Sequence, residues 1–349
     1  MLFTASTVKD TLPNVQRFVQ GSLAGGIDHM FVLLDAPGAE GQAEVREWLE
    51  TQPHVTCIPT GKEWWAGDRP AQLNFRQRIN ANLLKQVLSG FGWAEWLFHV
   101  DGDEVVQVDR EVLETVPAEV PAVQLAPLEA VSRMHWDEDP TWFKTPLGDD
   151  DLALLFALGV IDKPSNGAYF HGHAFGKSGI RPQEAGWLTL HKALDLDREP
   201  LEVFRHESLR LLHYESYSGE DFVRKWTAMV ASGPTASFRA ARGTTADALR
   251  ALIGKNLGEE KARIYLMKLF ERTTEDDFET LRDLGLLVEV DPRRGEATPR
   301  AFPDGGRAAM LAALDAVRPE PKRHFHPGQE GEGGDASAVR GVRRLLRRS

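Results

Sequence analysis

Residues 96–104 read Trp96-Leu-Phe-His-Val-Asp101-Gly-Asp103-Glu104, an apolar run that ends in three carboxylates within four residues. A short apolar run between turn signals is typical of a buried strand. In an open α/β sheet, ligands bind outside the carboxyl ends of the strands. Carboxylates this close repel one another unless a cation lies between them, and Mg²⁺ or Mn²⁺ carrying a phosphate is a common partner. The stretch therefore predicts a divalent metal held against a diphosphate, with a solvated acidic turn as the alternative.

Strands and helices alternate upstream of this stretch. Three apolar segments predict strands at residues 2–8, 29–34 and 55–58. Apolar residues at helical spacing predict a helix from Pro13 to Gly25, a second around Trp48 and a third through residues 79–88. Alternation of this kind predicts an α/β fold of three layers, with helices on both faces of a mostly parallel central sheet.

The remaining chain changes character twice. Residues 123–217 predict a continuation of the sheet with an inserted loop near residues 140–151, in which the acidic run at 149–151 is solvated. From Gly219 the spacing of Phe222 and Trp226 predicts helices, and residues 319–338 are typical of disorder. We expect a catalytic domain at 1–245, a helical region at 246–318 and a disordered tail at 319–349.

Composition limits the classes of protein that fit. The chain has 349 residues, of which 42% are hydrophobic and 27% charged, as in a globular enzyme. Its net charge of −11 argues against nucleic acid as a partner. The single cysteine, Cys57, excludes an intramolecular disulfide and favours a reducing compartment. We find no secretory signal and no membrane-length apolar run, which predicts a cytoplasmic protein.

The C-terminus is basic and amphipathic. Its arginines surround three apolar residues and lie at Arg340, Arg343, Arg344, Arg347 and Arg348. Such a segment predicts a weak peripheral contact with anionic lipid at the inner face of the membrane. A solubilising end without a partner is the alternative.

Three further segments resemble one enzyme family. They are Phe175-Gly-Lys177-Ser178-Gly-Ile-Arg181-Pro182, then Leu188-Thr-Leu-His191, then the stretch from His213-Tyr214 to Lys225-Trp226. Together with the Asp-Gly-Asp-Glu stretch, they resemble the family 2 and family 92-like glycosyltransferases, which show D-x-D-E, GKS-x-x-R-P … H and HY … EF-x-x-K in this order. The resemblance covers residues 1–226. It departs at Glu215-Ser216, where the family usually has Lys-Ser.

The resemblance implies a GT-A fold that binds a nucleotide-diphosphate sugar, with a UDP-sugar favoured, and Mn²⁺ or Mg²⁺ across its phosphates. Asp103 would be a direct metal ligand, and Asp101 would contact the ribose or the metal through water. A further ligand would come from His191 or His213, each of which could instead be a core histidine. The acceptor would be a glycan or a lipid-linked sugar in surface polysaccharide or lipopolysaccharide synthesis.

Several cations and carboxylates are candidates for other roles. Lys177 and Arg181 are candidates for diphosphate contacts, and Asp35, which ends the second strand, for a contact with the base or ribose; surface ion pairs and a turn are the alternatives. Inversion, as in the nearer relatives, would require a carboxylate base. Asp137 and Glu138 are the candidates, since they lie beside Trp136, a residue able to stack on a sugar.

Two other functions stay open. A sugar nucleotidyltransferase also holds metal and phosphate with carboxylates, but would carry a glycine-rich basic loop where this chain has Ser6-Thr7-Val8-Lys9-Asp10. An inactive nucleotide- or glycan-binding scaffold would bind without turnover. The sequence has no P-loop, no G-x-G-x-x-G after the first strand, no G-x-S-x-G and no zincin motif, which removes several common enzyme classes.

Overall fold

The computed structural model describes residues 1–231, 247–252, 254–255, 257–293 and 297–327. The fold is mixed α/β, with a mostly parallel central sheet flanked by helices and a helical C-terminal region. The chain forms two compact units. Unit 1 contains residues 1–126, 176–211 and the described residues from 292 onward, and unit 2 contains residues 127–175 and 212–291.

The named elements follow in chain order. The strands are β1 (Leu2–Val8), β2 (His29–Leu34), β3 (Val55–Pro59), β4 (Trp96–His99), β5 (Glu104–Val108), β6 (Ala122–Ala130), β7 (Trp142–Lys144), β8 (Lys177–Ile180), β9 (Trp187–Leu188), β10 (Ala193–Leu194), β11 (Val203–His213) and β12 (Leu287–Glu289). The helices are α1 (Leu12–Ala24), α2 (Gln42–Glu50), α3 (Leu73–Leu88), α4 (Arg110–Glu114), α5 (Asp149–Ala157), α6 (Asn166–Tyr169), α7 (Gly219–Ala231), α8 (Glu259–Thr273), α9 (Phe278–Asp283), α10 (Gly306–Val317) and a 3-10 helix at Lys322–Phe325.

The sheet of unit 1 is built on four parallel strands in the order β3-β2-β1-β4. Strand β8 pairs antiparallel with β4, and the first residues of β6 pair antiparallel with β8. Every residue of β1 and β2 is buried, as expected where helices cover both faces of a parallel sheet. The continuous apolar runs that predicted these strands therefore reflect burial on two faces.

The order of the parallel strands reverses at β1, whose neighbours are β2 on one side and β4 on the other. In a doubly wound sheet, the crevice at such a reversal is the usual place for a ligand. Helix α1 follows β1, with Pro13 in its first turn and Gly25 as its C-cap. A Cβ atom at Gly25 would lie 2.1 Å from the carbonyl oxygen of Val106, so glycine lets α1 end against β5.

Unit 2 is built on the end of β6, with β7 and β12. Glu129 and Ala130 of β6 pair antiparallel with β7, which pairs antiparallel with β12. One apolar cluster packs against these strands and includes Val131, Leu155 and Phe170. A second cluster joins α7 and α8; its buried residues are Phe222, Trp226, Leu249, Leu266 and Phe270.

Two local expectations were wrong. The acidic run at 149–151 forms the first turn of α5, where carboxylates interact favourably with the N-terminal end of the helix dipole, instead of lying in a loop. The stretch expected to be disordered from residue 319 includes the 3-10 helix at Lys322–Phe325, because Phe325 is buried in the core of unit 1.

The domain boundaries at residues 245 and 318 stay predictions. The C-terminal arginines lie outside the described residues. None of the helices in the described part of the chain has the length and apolar character that a bilayer crossing needs.

Candidate functional site

The acidic loop that follows β4 lies at the reversal of strand order in unit 1. A Cβ atom at Gly102 would lie 3.0 Å from both methyl carbons of Val8, the last residue of β1. The loop therefore packs directly on the carboxyl end of β1 as it leaves β4. The amide N–H of Asp101 donates to Oε2 of Glu104 at 2.7 Å, which closes the loop on itself.

The three carboxylates of this loop have different surroundings. Glu104 is fully buried, whereas Asp101 and Asp103 are partly exposed. Asp101 accepts from Nε2 of Gln77 at 2.5 Å and from Nζ of Lys177 at 2.6 Å. Lys177 also lies 3.3 Å from Glu104. Both oxygens of Asp101 thus have protein partners, although its side chain, like that of Asp103, is partly exposed.

Helix α3 joins the acidic loop to the neighbouring strands through a buried polar face. Arg76 binds Asp35 after β2, Gln77 binds Asp101 after β4, and the side-chain amide of Asn80 donates to Oγ1 of Thr7 in β1 at 2.9 Å. The sequence interpretation missed Gln77 and Asn80. Polar residues one helical turn apart, beside the buried Ile79, are the signal that identifies this face.

Asp35 lies at the carboxyl end of β2 and is buried with two arginines. Arg76 donates from Nε and Nη2 at 2.7 Å each, and Arg69 donates from Nη2 to Oδ2 at 3.0 Å. Beside Asp35 is a cleft of about 530 Å³ between the loops after β2 and β3. Its lining residues include Gly38, Thr60, Gly61, Lys62, Trp65 and Arg69. The volume is that of a small-molecule pocket.

The two predicted phosphate-binding cations are both engaged with protein groups. Lys177 is completely buried at the start of β8, with its ammonium on the acidic loop. Arg181 donates to the carbonyl oxygens of Val116 at 3.1 Å and Val120 at 3.3 Å, and its guanidinium lies 4.2 Å from the ring centroid of Trp96. Arg181 therefore ties the end of β8 to the segment before β6.

Two histidines lie near these residues in unit 1. Nδ1 of His191 is hydrogen-bonded with the carbonyl oxygen of Gly176 at 3.1 Å, one residue before Lys177. His99, the last residue of β4, is fully buried, with Nδ1 hydrogen-bonded to the carbonyl oxygen of Thr189 at 2.7 Å. Burial, and then the charge of Lys177, lower the pKa of His99, so its imidazole is neutral at physiological pH.

The second histidine predicted as a metal ligand, His213, ends β11 in unit 2. Its ring stacks on that of His173, with centroids 4.9 Å apart. Nε2 of His213 lies 3.7 Å from Oε2 of Glu215, whose carboxylate also pairs with Nζ of Lys225 at 3.0 Å. Within unit 2, the ring of His213 therefore has a second imidazole and a carboxylate as close neighbours.

A buried network of ion pairs lies beside His171 and Gly172, in the same unit as His213. Lys144 is fully buried and lies 2.9 Å from Glu129 and 3.0 Å from Asp276. Glu129 also accepts from the backbone N–H of His171 at 2.7 Å and of Gly172 at 2.5 Å. Burial alone would raise the pKa of Glu129, but Lys144 and nearby histidines outweigh it and hold that pKa below its usual value. The sequence interpretation missed this network.

The predicted base candidates, Asp137 and Glu138, lie on an exposed segment of unit 2. The side chain of Asp137 is 99% exposed, and its carboxylate lies 3.4 Å from Nε2 of His135. Trp136, the predicted sugar-stacking residue, instead donates from Nε1 to the carbonyl oxygens of Val131 and Tyr217.

The acidic loop of unit 1 has the chemistry that a hard divalent cation requires. Its three carboxylates offer oxygen ligands, which Mg²⁺ and Mn²⁺ prefer. The ammonium of Lys177 offsets one negative charge and leaves the loop net negative. These residues therefore fit a divalent cation at the carboxyl end of β4.

Comparisons with known proteins identify no family for this chain. No protein-family model matches the chain, and no curated protein matches it. Chains of solved structures do match, among them the crystal structure of mannose-1-phosphate geranyltransferase from Thermus thermophilus, with 14% identity and a TM-score of 0.24. That match covers 52% of this chain and 57% of the other, so this chain spans less than two thirds of that protein. A likeness of this size extends to neither a family nor an activity.

Proposed function

We propose that the chain is a metal-dependent glycosyltransferase that moves a sugar from a nucleotide-diphosphate sugar to a hydroxyl of a glycan or lipid-linked acceptor. One observation carries the proposal: the Asp101-Gly-Asp103-Glu104 loop packs on Val8, at the point where the order of the parallel strands reverses. A carboxylate-rich loop in this crevice suits a metal-bound diphosphate better than a solvated turn, because Glu104 is fully buried there.

The cleft beside Asp35 supports a nucleotide as the donor's leaving group. Its volume of about 530 Å³ suits a nucleoside, and Asp35 and Arg69 are among its lining residues. Two adjacent residues of α3 bind these carboxylates, Arg76 at Asp35 and Gln77 at Asp101. The same helix therefore positions both the cleft and the acidic loop. We assign the base or ribose to the side of Asp35, with a UDP-sugar favoured.

We assign different contacts with the metal and the donor to the residues of the acidic loop. Asp103 would hold the metal directly, as the resemblance implies for this position of the D-x-D-E stretch. Asp101 would contact the ribose or a water molecule on the metal. His191 and His213 stay the predicted candidates for a further ligand. When bound, Mn²⁺ or Mg²⁺ neutralises the negative charge that builds on the leaving phosphate.

The acceptor side rests on the sequence interpretation. An inverting transfer requires a carboxylate to remove the proton of the acceptor hydroxyl as the sugar is attacked from the opposite face. We keep Asp137 and Glu138 as the proposed bases. Their exposure leaves both carboxylates accessible to a large acceptor.

A thermal-shift panel tests the donor and the metal together. UDP-, GDP-, CMP- and dTDP-sugars are added to the full chain with and without Mn²⁺. We expect a Mn²⁺-dependent rise in melting temperature with one nucleotide, which Asp103→Ala abolishes. Asp197→Ala, which removes an exposed carboxylate of the same unit, is the matched control and should keep the shift. The proposal is wrong if no donor shifts the melting temperature.

Product analysis then separates this activity from its nearest rival. A glycosyltransferase releases a nucleoside diphosphate when acceptor is added. A sugar nucleotidyltransferase instead joins a sugar phosphate to a nucleoside triphosphate and releases pyrophosphate. An inactive scaffold releases neither product. Release of nucleoside diphosphate that depends on Asp103 is the expected result.

A further inference from the structure

Lys177 stands among the carboxylates of the acidic loop. It is the first residue of β8, which pairs antiparallel with β4 through Leu97 with Ile180 and Phe98 with Gly179. This register brings the start of β8 to the carboxyl end of β4, where the acidic loop begins. Nζ of Lys177 lies 2.6 Å from Asp101 and 3.3 Å from Glu104, and the side chain is completely buried.

The backbone at this lysine is fixed by its neighbours on β6. Gly176 has φ of +65°, and a Cβ atom there would lie 1.9 Å from the carbonyl oxygen of Leu125. The side-chain amide of Gln124 donates to the carbonyl oxygen of Lys177 at 3.0 Å. The sheet therefore sets the position from which the ammonium reaches the loop, whether or not a ligand is present.

The charge balance shows what this ammonium does. Nζ of Lys177 is completely buried between Asp101 and Glu104 and is a cationic partner of both carboxylates. Glu104 is fully buried, and a buried carboxylate that loses its cationic partner is strongly destabilising. Gln77, the other side chain on Asp101, is neutral and cannot supply this charge.

We propose that Lys177 is a positioning residue, an internal cation that holds Asp101 and Glu104 in place so that the acidic loop keeps its shape before any divalent metal arrives. This inference rests on the proposed function, and it gives Lys177 a different role from the diphosphate contact expected from the sequence. Lys177 acts through the carboxylates and touches neither donor nor acceptor.

The proposal predicts an exchange of cations. In Lys177→Met, the carboxylates lose their internal counter-charge, so the metal-free melting temperature of the full chain should fall by roughly 5 °C or more. A divalent ion should then replace the missing charge, and the rise in melting temperature caused by Mn²⁺ should be at least about twice that of the wild type. Neither readout depends on turnover.

Lys85→Met is the matched control. Lys85 is a buried lysine of the same unit, but its ammonium donates to the backbone carbonyl of Glu184 at 2.5 Å and not to the acidic loop. This variant should also lower the melting temperature, with the same Mn²⁺ response as the wild type. A Mn²⁺ response in Lys177→Met no larger than that of Lys85→Met would overturn the proposal.

A second variant covers the case in which Lys177→Met does not fold. Adding Asp101→Asn removes one of the repelling carboxylates with little change in shape, so the double variant should fold and recover about half of the lost melting temperature or more. No recovery would mean that Lys177 acts only by packing, which overturns the proposal. If the wild type shows no Mn²⁺ response at all, the proposed function fails, and this recovery alone decides the role of Lys177.

Discussion

The carboxylate of Asp35 and the guanidinium of Arg76 form two parallel hydrogen bonds, from Nε to Oδ1 and from Nη2 to Oδ2, each 2.7 Å long. Both side chains are only 7% exposed. Nη1 of Arg76 also donates to the carbonyl oxygens of Pro70 and Ala71. The pair therefore fixes the end of β2, the start of α3 and the loop between β3 and α3 at one edge of the cleft.

Removing the guanidinium of Arg76 should lower the stability of the protein. Arg76→Ala leaves Asp35 buried with only Arg69 as a cationic partner, and we expect a loss of about 3 kcal/mol in the free energy of unfolding, as for other broken buried pairs. Denaturant unfolding measures it. Arg46→Ala, which breaks an exposed pair with Glu50, is the control and should change stability little. Equal effects of the two variants would contradict the importance of the Asp35 pair.

Gly176, in the turn before β8, is a position that tolerates no side chain. Its φ of +65° disfavours other residues, and a Cβ atom would lie 1.9 Å from a backbone oxygen that cannot move without disturbing β6. We expect Gly176→Ala to cost about 2 kcal/mol or more in denaturant unfolding. Gly38→Ala, where no atom lies within 4 Å of the added carbon, should leave stability nearly unchanged. A neutral Gly176→Ala would show that the turn before β8 can relax.

The local elements of unit 1 could be predicted because their signals are local. The apolar runs at β1 and β2 and the helical spacing in α1 and α3 record burial directly. The predicted segments match β1, β2 and α1 closely, whereas α3 begins at Leu73, six residues before its predicted start. The end of β4 was also evident, since the apolar run stops at the first aspartate. The α/β fold with a mostly parallel sheet is confirmed.

The partners of the charged residues could not be predicted, because they depend on long-range pairing. Lys177 meets Asp101 across 76 residues, and Lys144 meets Asp276 across 132. A lysine that binds a carboxylate and a lysine that binds a phosphate look the same in a sequence. Only the register of β8 against β4 separates the two.

The buried ring of His29 should make stability depend on pH. Burial lowers the pKa of His29 from 6.5 to about 3, and the charge of Arg307 adds to the shift. Between these values the unfolded chain binds a proton that the folded chain does not, so stability falls as the pH falls below 6.5. The slope is about 1.4 kcal/mol per pH unit, or about 2 kcal/mol lost by about pH 5.

His29→Phe tests this dependence. Phenylalanine keeps the contacts with the rings of Phe31 and Phe302 but loses the hydrogen bond to Thr56, so it should cost about 1 kcal/mol at pH 7. Its stability should then fall less steeply towards pH 5 than that of the wild type, in denaturant unfolding at several pH values. His206→Gln, which changes an exposed histidine, is the control. Parallel profiles for His29→Phe and the wild type would contradict the assignment.

The C-terminal 3-10 helix contacts the loop that forms one wall of the cleft beside Asp35. Arg323 donates to both oxygens of Asp68, at 2.5 Å and 2.7 Å, and Nζ of Lys322 lies 4.9 Å from the ring of Trp64. Asp68 and Trp64 flank Trp65, which lines the cleft. Since the ion pair between Arg323 and Asp68 is exposed, Arg323→Ala should loosen residues 64–68 without unfolding the chain.

Hydrogen exchange measures the loosening directly. We expect the amides of residues 64–68 to exchange up to about fivefold faster in Arg323→Ala, the scale expected for an exposed ion pair, with the rest of unit 1 unchanged. Arg318→Ala breaks the exposed pair with Asp315 in the same C-terminal region and should leave those amides unaffected. Unchanged exchange in both variants would contradict this prediction. It would mean that the contacts of the 3-10 helix do not stabilise residues 64–68.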